Sequence, residues 1–179
     1  MTIEHRTHGT NGAAGDGAGA AHPRFAEALR EQGLEELLAG VRRYPDAVRT
    51  AAEAAAAVGC ELSQICKSLI FAVDGETVLV LMDGAGRVDV EAVRRELDAK
   101  EVARATAATV RETTGYAIGG VPPFGHRIRT RVLADRSLLA HEVVWAAAGT
   151  PHSVFPIAPA ELVERAGATV VEVRERAAG

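Results

Sequence analysis

Two features of this chain have the makings of a reactive site: a lysine at the head of an apolar run, and a stiff loop of glycines and prolines. Lys67 immediately precedes Ser68-Leu69-Ile70-Phe71-Ala72-Val73. Side chains alternate between faces along an extended strand, so Lys67 shares a face with Leu69, Phe71 and Val73. Its stem then lies against apolar surface, and its ammonium emerges at the end of the sheet. An ammonium drawn toward the interior is costly without a partner. With one, it is a fixed cation for a phosphate or a polarised carbonyl. A lysine that merely snorkels to the surface would show the same pattern.

The loop is Gly115-Tyr116-Ala117-Ile118-Gly119-Gly120-Val121-Pro122-Pro123-Phe124-Gly125-His126. Glycine admits positive φ, and proline fixes φ and lacks an N–H, so neither a helix nor a central strand forms here. Bare N–H groups on such a loop suit close approach to an oxyanion, a phosphate or a planar ring. The same composition also suits a tight connection between two strands. Just downstream, Arg127, Arg129 and Arg131 alternate, which places them on one face if the backbone is extended. Arg136 adds to a basic patch beside the glycines, unless these charges simply guard a solvated sheet edge. Asp135, at the end of its strand, suits orienting a ligand hydroxyl or capping the Asp135-Arg136-Ser137 turn.

Other chemistries find little support. His126, His141 and His152 have no cysteine at ligand spacing, so no metal site is expected. Cys66 adjoins Lys67 but points to the opposite face of the strand, which argues against a paired thiol nucleophile. No Gly-x-Ser-x-Gly elbow occurs, and the loop glycines match neither a Walker loop nor a dinucleotide fingerprint. A net charge of −4 argues against coating nucleic acid through a basic surface, while leaving room for a protein that grips only a chain end.

The elements that must position these groups follow from local signals. At 179 residues, 47% hydrophobic and 25% charged, the chain has the size and composition of one globular domain. Residues 1–22 are rich in Gly, Ala, Thr and His and read as a disordered leader, with the folded domain at 23–176. A short helical face (Phe25, Ala28, Leu29) runs from Pro23 to about Gly33, followed by a turn at 34–39 and a short strand at 41–44. Thr50-Ala51-Ala52-Glu53 is a capping box opening a helix at 51–58, closed by Gly59. Apolar runs at 67–73 and 77–82 flank Asp74-Gly75, a strong hairpin signal, and the first is apolar on both faces. Asp89 caps a helix whose Val90, Val93 and Leu97 face the core. A strand at 102–105 and a helix from Thr106 lead into the loop. Beyond it lie strands at 131–134, 142–147 and 153–157, a helix at 159–166 and a strand at 169–173. The sum is an α/β (α+β) fold, a mixed, mostly antiparallel sheet with helices packed on it. Two unpaired cysteines, no signal-like leader and no apolar run of membrane length suggest the cytoplasm.

Several of these segments together resemble one family. Thr50-Ala51-Ala52-Glu53-Ala54-Ala55 with Gly59, Gln64-Ile65-Cys66-Lys67-Ser68-Leu69, Thr114-Gly115-Tyr116 and Gly119 to Gly125 are similar, in order, to the YbaK/ProX family of aminoacyl-tRNA deacylases and prolyl-tRNA synthetase editing domains. Asp135-Arg136-Ser137-Leu138-Leu139 and Ala148-Gly149-Thr150 continue the pattern, which spans roughly residues 25–173. The resemblance implies a single YbaK/ProX-like domain acting as a free-standing editing hydrolase. Such an enzyme cleaves the ester between a wrong, small amino acid and the terminal ribose of a tRNA. It implies catalytic parts for Lys67 and Gly119. Gly120, Val121, Pro122, Pro123, Phe124 and Gly125 would line the substrate site, and Asp135 is the candidate to join them. No protein nucleophile is implied; water acts, aided by the neighbouring ribose hydroxyl. The implied partners are the acceptor end of an aminoacyl-tRNA and an aminoacyl-tRNA synthetase, with no cofactor, metal or membrane. A second sieve of this kind serves where binding alone cannot reject a small or isosteric amino acid. Alanine, cysteine, serine and threonine esters are all open. The alternatives are a non-catalytic module binding a tRNA end or nucleotide, and a hydrolase of small esters without RNA.

Overall fold

One long hairpin organises the molecule, whose computed structural model describes residues 18–177. Strand β2 (Ile65–Val73) and strand β3 (Glu76–Asp83) pair antiparallel from Cys66↔Asp83 to Val73↔Glu76. Asp74 (φ 48) and Gly75 (φ 85) form the two-residue turn, both left-handed as a type I′ turn requires. The Asp74 carboxylate also accepts the N–H groups of Lys100 and Glu101, at 3.0 and 2.8 Å. Alternation splits the hairpin between two cores. Phe71, Val73, Val78, Val80 and Met82 join one cluster with Val93, while Cys66, Ile70, Leu79 and Leu81 join another with Phe25, Phe124 and Phe155.

Six further strands extend this hairpin: β1 (Arg42–Arg43), β4 (Val102–Arg104), β5 (Arg131–Asp135), β6 (Val144–Ala147), β7 (Ser153–Ile157) and β8 (Thr169–Val171). Their order is β1-β7-β6-β2-β3-β5-β8, with β4 also pairing β2. Among the described residues four pairings are antiparallel and three (β2–β6, β3–β5, β5–β8) are parallel, so the sheet is mixed as expected, with a narrow antiparallel margin. Parallel neighbours need crossover connections, and the helices supply them.

The helices are α1 (Pro23–Glu31), α2 (Ala51–Val58), α3 (Val90–Glu96), α4 (Ala107–Thr114) and α5 (Pro159–Ala166). Thr50, Asp89 and Thr106 cap α2, α3 and α4 by accepting the N–H of Glu53, Ala92 and Thr109. Gly59 and Gly115 close α2 and α4 in the left-handed conformation. Two details differ from the sequence reading. Val90, the first residue of α3, is exposed; Val93 is the buried anchor, with Ala92 and Leu97 packed beside it. Order also begins before Pro23: Ala20 and Ala21 are buried and the His22 N–H donates to Ala148 O at 3.0 Å. The rest of the expected leader, residues 1–17, lies outside the described residues.

Candidate functional site

The central sheet has a gap, and the gap is where the candidate residues meet. On its outer edge β2 pairs with β6 at Ile65 and Cys66, and with β4 from Phe71 to Val73. Residues 67–70 therefore lack a strand neighbour on that side. A cavity of about 260 Å³ opens there. Its walls come from the β2 edge, the start of α2 at Thr50, Ala51 and Ala54, the loop at Ile118, Gly119 and Val121, and Trp145 and Ala147 of β6. This volume falls below the ~300–1,000 Å³ usual for drug-sized ligands, and suits a small group.

The glycine–proline loop is locked in place. The Tyr116 hydroxyl donates to Gly125 O at 2.8 Å, and burial pushes its phenol up, so it stays a neutral donor. The Tyr116 N–H donates to Thr114 Oγ1, which itself donates to Val110 O. His126 Nε2 lies 2.6 Å from Pro122 O; a carbonyl only accepts, so Nε2 carries the proton. Burial holds His126 below its ordinary pKa, in spite of that bond.

A turn over Ala117-Ile118-Gly119-Gly120 aims the loop at the cavity. Gly120 N–H donates to Ala117 O at 3.0 Å, and Gly119 sits at φ 89, where a side chain would be strained. The two glycines consequently have different surroundings. Gly119 faces Arg49 across the cavity wall, whereas Gly120 rests on the Thr150–Pro151 backbone, with no room for a Cβ. Since the turn consumes the Gly120 N–H, that amide is not available to a ligand. The N–H of Gly119 has no acceptor among the described residues.

Lys67 forms part of the cavity wall, and its ammonium donates to Gly86 O at 2.5 Å. Partial burial lowers its pKa, and Arg104, Arg87 and Arg174 add to that, while Asp83 opposes. An ammonium has three donors, so two remain for a ligand. The charged residues of the wall (Arg49, Lys67, Arg104) are all cations, in a chain whose net charge is −4. The nearest acid, Asp83, is committed to Ala85 N, Ser137 Oγ and Arg174 Nε. Burial, with Asp83 in second place, pushes the Cys66 thiol up to about 12, which leaves it protonated and a poor nucleophile.

Of the residues singled out from sequence, Lys67, Gly119 and Val121 reach the cavity wall. Gly120 and Pro122 are buried outside it. Pro123, Phe124 and Gly125 line a separate cleft with His126, and the Phe124 ring packs against Phe25 and Phe155 at 5.7 and 6.2 Å between centroids. These three shape the loop and do not face the cavity. Asp135 is also elsewhere. Its buried carboxylate accepts Ser137 N–H at 3.0 Å and Val173 N–H at 2.8 Å, tying β5 to the chain beyond β8. Arg136 stands at the far end of β5 from Arg131 and pairs with Glu172 at 3.3 Å, so the arginines do not form one patch. Sequence reasoning passed over Arg49, Ser68, Arg104 and Trp145, which line the cavity. Ser68 stood inside a quoted motif, but only pairing of the strands exposes its significance.

The sequence and the fold match a known class. The family model for the aminoacyl-tRNA editing domain matches residues 45–164, and the chain belongs to that family. It is 35% identical over 126 residues to the uncharacterized protein YwhH of Bacillus subtilis (strain 168), covering 69% of this chain and 79% of that one. It is 31% identical over 122 residues to the proline–tRNA ligase of Lysinibacillus sphaericus (strain C3-41), covering 66% of this chain but 21% of the ligase. Among solved structures, a protein put forward as a trans-editing enzyme for prolyl tRNA synthetase superposes with a TM-score of 0.81 at 41% identity, covering 86% of this chain and 96% of that one. Hypothetical protein APE2540 superposes at 0.76 with 33% identity, covering 85% and 99%. Among the described residues no helix is long and apolar enough to cross a membrane, and no group of three or more His, Cys, Asp and Glu is placed to hold a metal.

Proposed function

We propose that this protein is a trans-editing deacylase, which hydrolyses the ester joining a wrongly attached small amino acid to the terminal ribose of a tRNA. The observation that carries the reading is the meeting of Lys67, the unused Gly119 N–H and a small cavity at one break in the sheet, in a chain of the editing family. In the proposed reaction water adds to the ester carbonyl carbon, and the carbonyl oxygen becomes an oxyanion. Gly119 N–H and the Lys67 ammonium face that charge, where fixed donors in a water-poor site are most effective. Collapse breaks the bond to the ribose oxygen, which takes the proton given up by the attacking water and leaves as the free hydroxyl, releasing the amino acid. The neighbouring ribose hydroxyl helps to orient the water. Cys66, protonated and buried, takes no part.

The cavity volume limits the acyl group to a small one. The relatives favour the proline tRNA, mischarged, as the acceptor to try first and a prolyl-tRNA synthetase as the recruiting partner, in the cytoplasm where charging occurs. The test is release of amino acid from tRNAs mischarged with alanine, cysteine, serine or threonine, with Lys67→Ala as control. Hydrolysis of at least one ester by the wild type, lost in the variant, supports the reading. Tight binding of charged tRNA with no release would replace it with a non-catalytic module.

A further inference from the structure

Ser68 is the unexplained residue of the cavity. Its Oγ is sequestered from solvent, and among the described residues it is the buried side-chain oxygen or nitrogen that has no hydrogen-bond partner. Buried polar groups are ordinarily paired, so an orphan in a ligand-sized cavity marks a place where something else supplies the partner. The main chain points the same way. Ile70 O, on the outer edge of β2, accepts from Ala105 N at 3.0 Å. Backbone groups alternate along a strand, so the N–H and C=O of Ser68 face that same edge. The β6 ladder ends at Cys66 and the β4 ladder begins at Phe71, which leaves the Ser68 groups opposite the gap.

The remaining wall restricts what the partner can be. The side-chain oxygens lining the cavity belong to Thr50 and Ser68, and Thr50 Oγ1 is already the cap acceptor for Glu53 N–H. The charged groups are cations, which attract the phosphate and carbonyl side of a charged tRNA end but offer no counter-charge to an amino group. An amino acid entering this cavity brings an N–H donor that needs a neutral acceptor. We infer that Ser68 is that acceptor: its hydroxyl, together with its free carbonyl, binds the α-amino group of the substrate and so selects aminoacyl from plain acyl esters. This deepens the editing reading and rests on it for the identity of the ligand.

The experiment uses two stable mimics of the charged terminal adenosine, a 3′-alanylamido and a 3′-propionylamido derivative, which differ by the α-amino group. Binding of each to the wild type and to Ser68→Ala is measured by calorimetry, with thermal melts of both proteins. The expected result is a loss of tenfold or more in affinity of Ser68→Ala for the alanyl mimic, equal affinities of both proteins for the propionyl mimic, and an unchanged or raised Tm. Equal affinities for the alanyl mimic would overturn the assignment. So would equal losses on both mimics, a lowered Tm in the variant, or failure of the wild type to bind either mimic. Hydrolysis is assayed separately: a wild type that binds the alanyl mimic through Ser68 yet releases nothing from any mischarged tRNA leaves the assignment standing and removes the deacylase.

Discussion

Replacing Lys67 by methionine separates the chemical from the structural part of that residue. The stem is kept, so the packing against the β2 face is preserved. On the stability side two effects oppose. The Gly86 carbonyl loses its donor, which costs about 1 kcal/mol. Against this, a charge is removed that burial and three arginines disfavour and that Asp83 alone supports. The net change in stability is expected within about 1 kcal/mol of zero, or roughly 2–4 °C in Tm for a chain of this size. The catalytic side has no such cancellation. Losing one fixed donor to a developing oxyanion typically lowers the rate by ~10²–10³. The assay is kcat/KM for deacylation of the best ester from the mischarged panel, run beside a calorimetric melt. Activity within threefold of wild type would refute the role of the ammonium. A drop of ~8 °C or more would refute the stability reasoning, by showing that the lysine is a strut whose loss disturbs the site indirectly.

The two adjacent glycines should respond differently to alanine. At Gly120 an added Cβ would lie 2.8 Å from the Thr150 carbonyl carbon, so Gly120→Ala should cost about 2–3 kcal/mol and show a clearly lowered Tm. At Gly119 there is space, 3.4 Å from Arg49 Cγ, and the cost is the strain of φ 89, ~1–2 kcal/mol; deacylation should fall more than stability. His126 is held below its ordinary pKa of 6.5 by burial, so the folded state favours the neutral ring. Its contribution is therefore complete above pH 6.5 and declines as pH falls from there toward the lower folded value. His126→Gln should flatten the acid limb of a Tm-against-pH curve, leaving the smaller slope due to His22, which burial shifts in the same direction. With the Cys66 thiol buried and at about 12, native labelling at pH 8 should modify at most Cys60, and unfolding should expose the second thiol. Two equivalents labelled rapidly in the native protein would contradict that burial.

Signals that act over a few residues were readable from the chain. Asp74-Gly75 predicts a hairpin, and both residues take the left-handed conformation it needs. Thr50 and Thr106 predict helix starts, and both hydroxyls accept the N–H three residues on. Gly59 stops a helix for the same local reason. The errors sit where a second element decides. Val90 has the spacing of a core residue, but at the first position of α3 it stays exposed while Val93, one turn on, is buried. Ala20 and Ala21 look like leader because alanine and glycine carry no periodic signal, yet His22 reaches Ala148 and draws them into the core. Asp135 illustrates the ambiguity at the site itself, since a carboxylate at a strand end is equally suited to a ligand hydroxyl and to a backbone N–H. The donor it found is the N–H of Val173, 38 residues away.

The cavity could not be read from periodicity at all, because it is a property of strand pairing. Parity assigns Lys67 and Ser68 to opposite faces of β2, and it says nothing about which neighbour lies along the edge. Two strands compete for that edge: β6 approaches parallel and β4 antiparallel. Parallel and antiparallel ladders place their hydrogen bonds differently, so one cannot run smoothly into the other along a single strand. Some stretch between them has to leave its backbone groups unpaired, and unpaired buried groups are destabilising unless a ligand or solvent reaches them. Ser68 is the residue so placed, since Ile70 O already accepts from Ala105 N and Lys67 and Leu69 pair toward β3. The break in the sheet, the orphaned Ser68 hydroxyl and the opening beside Lys67 are accordingly one feature. A chain that lengthened β4 or β6 by a pair of residues would gain hydrogen bonds and lose the cavity.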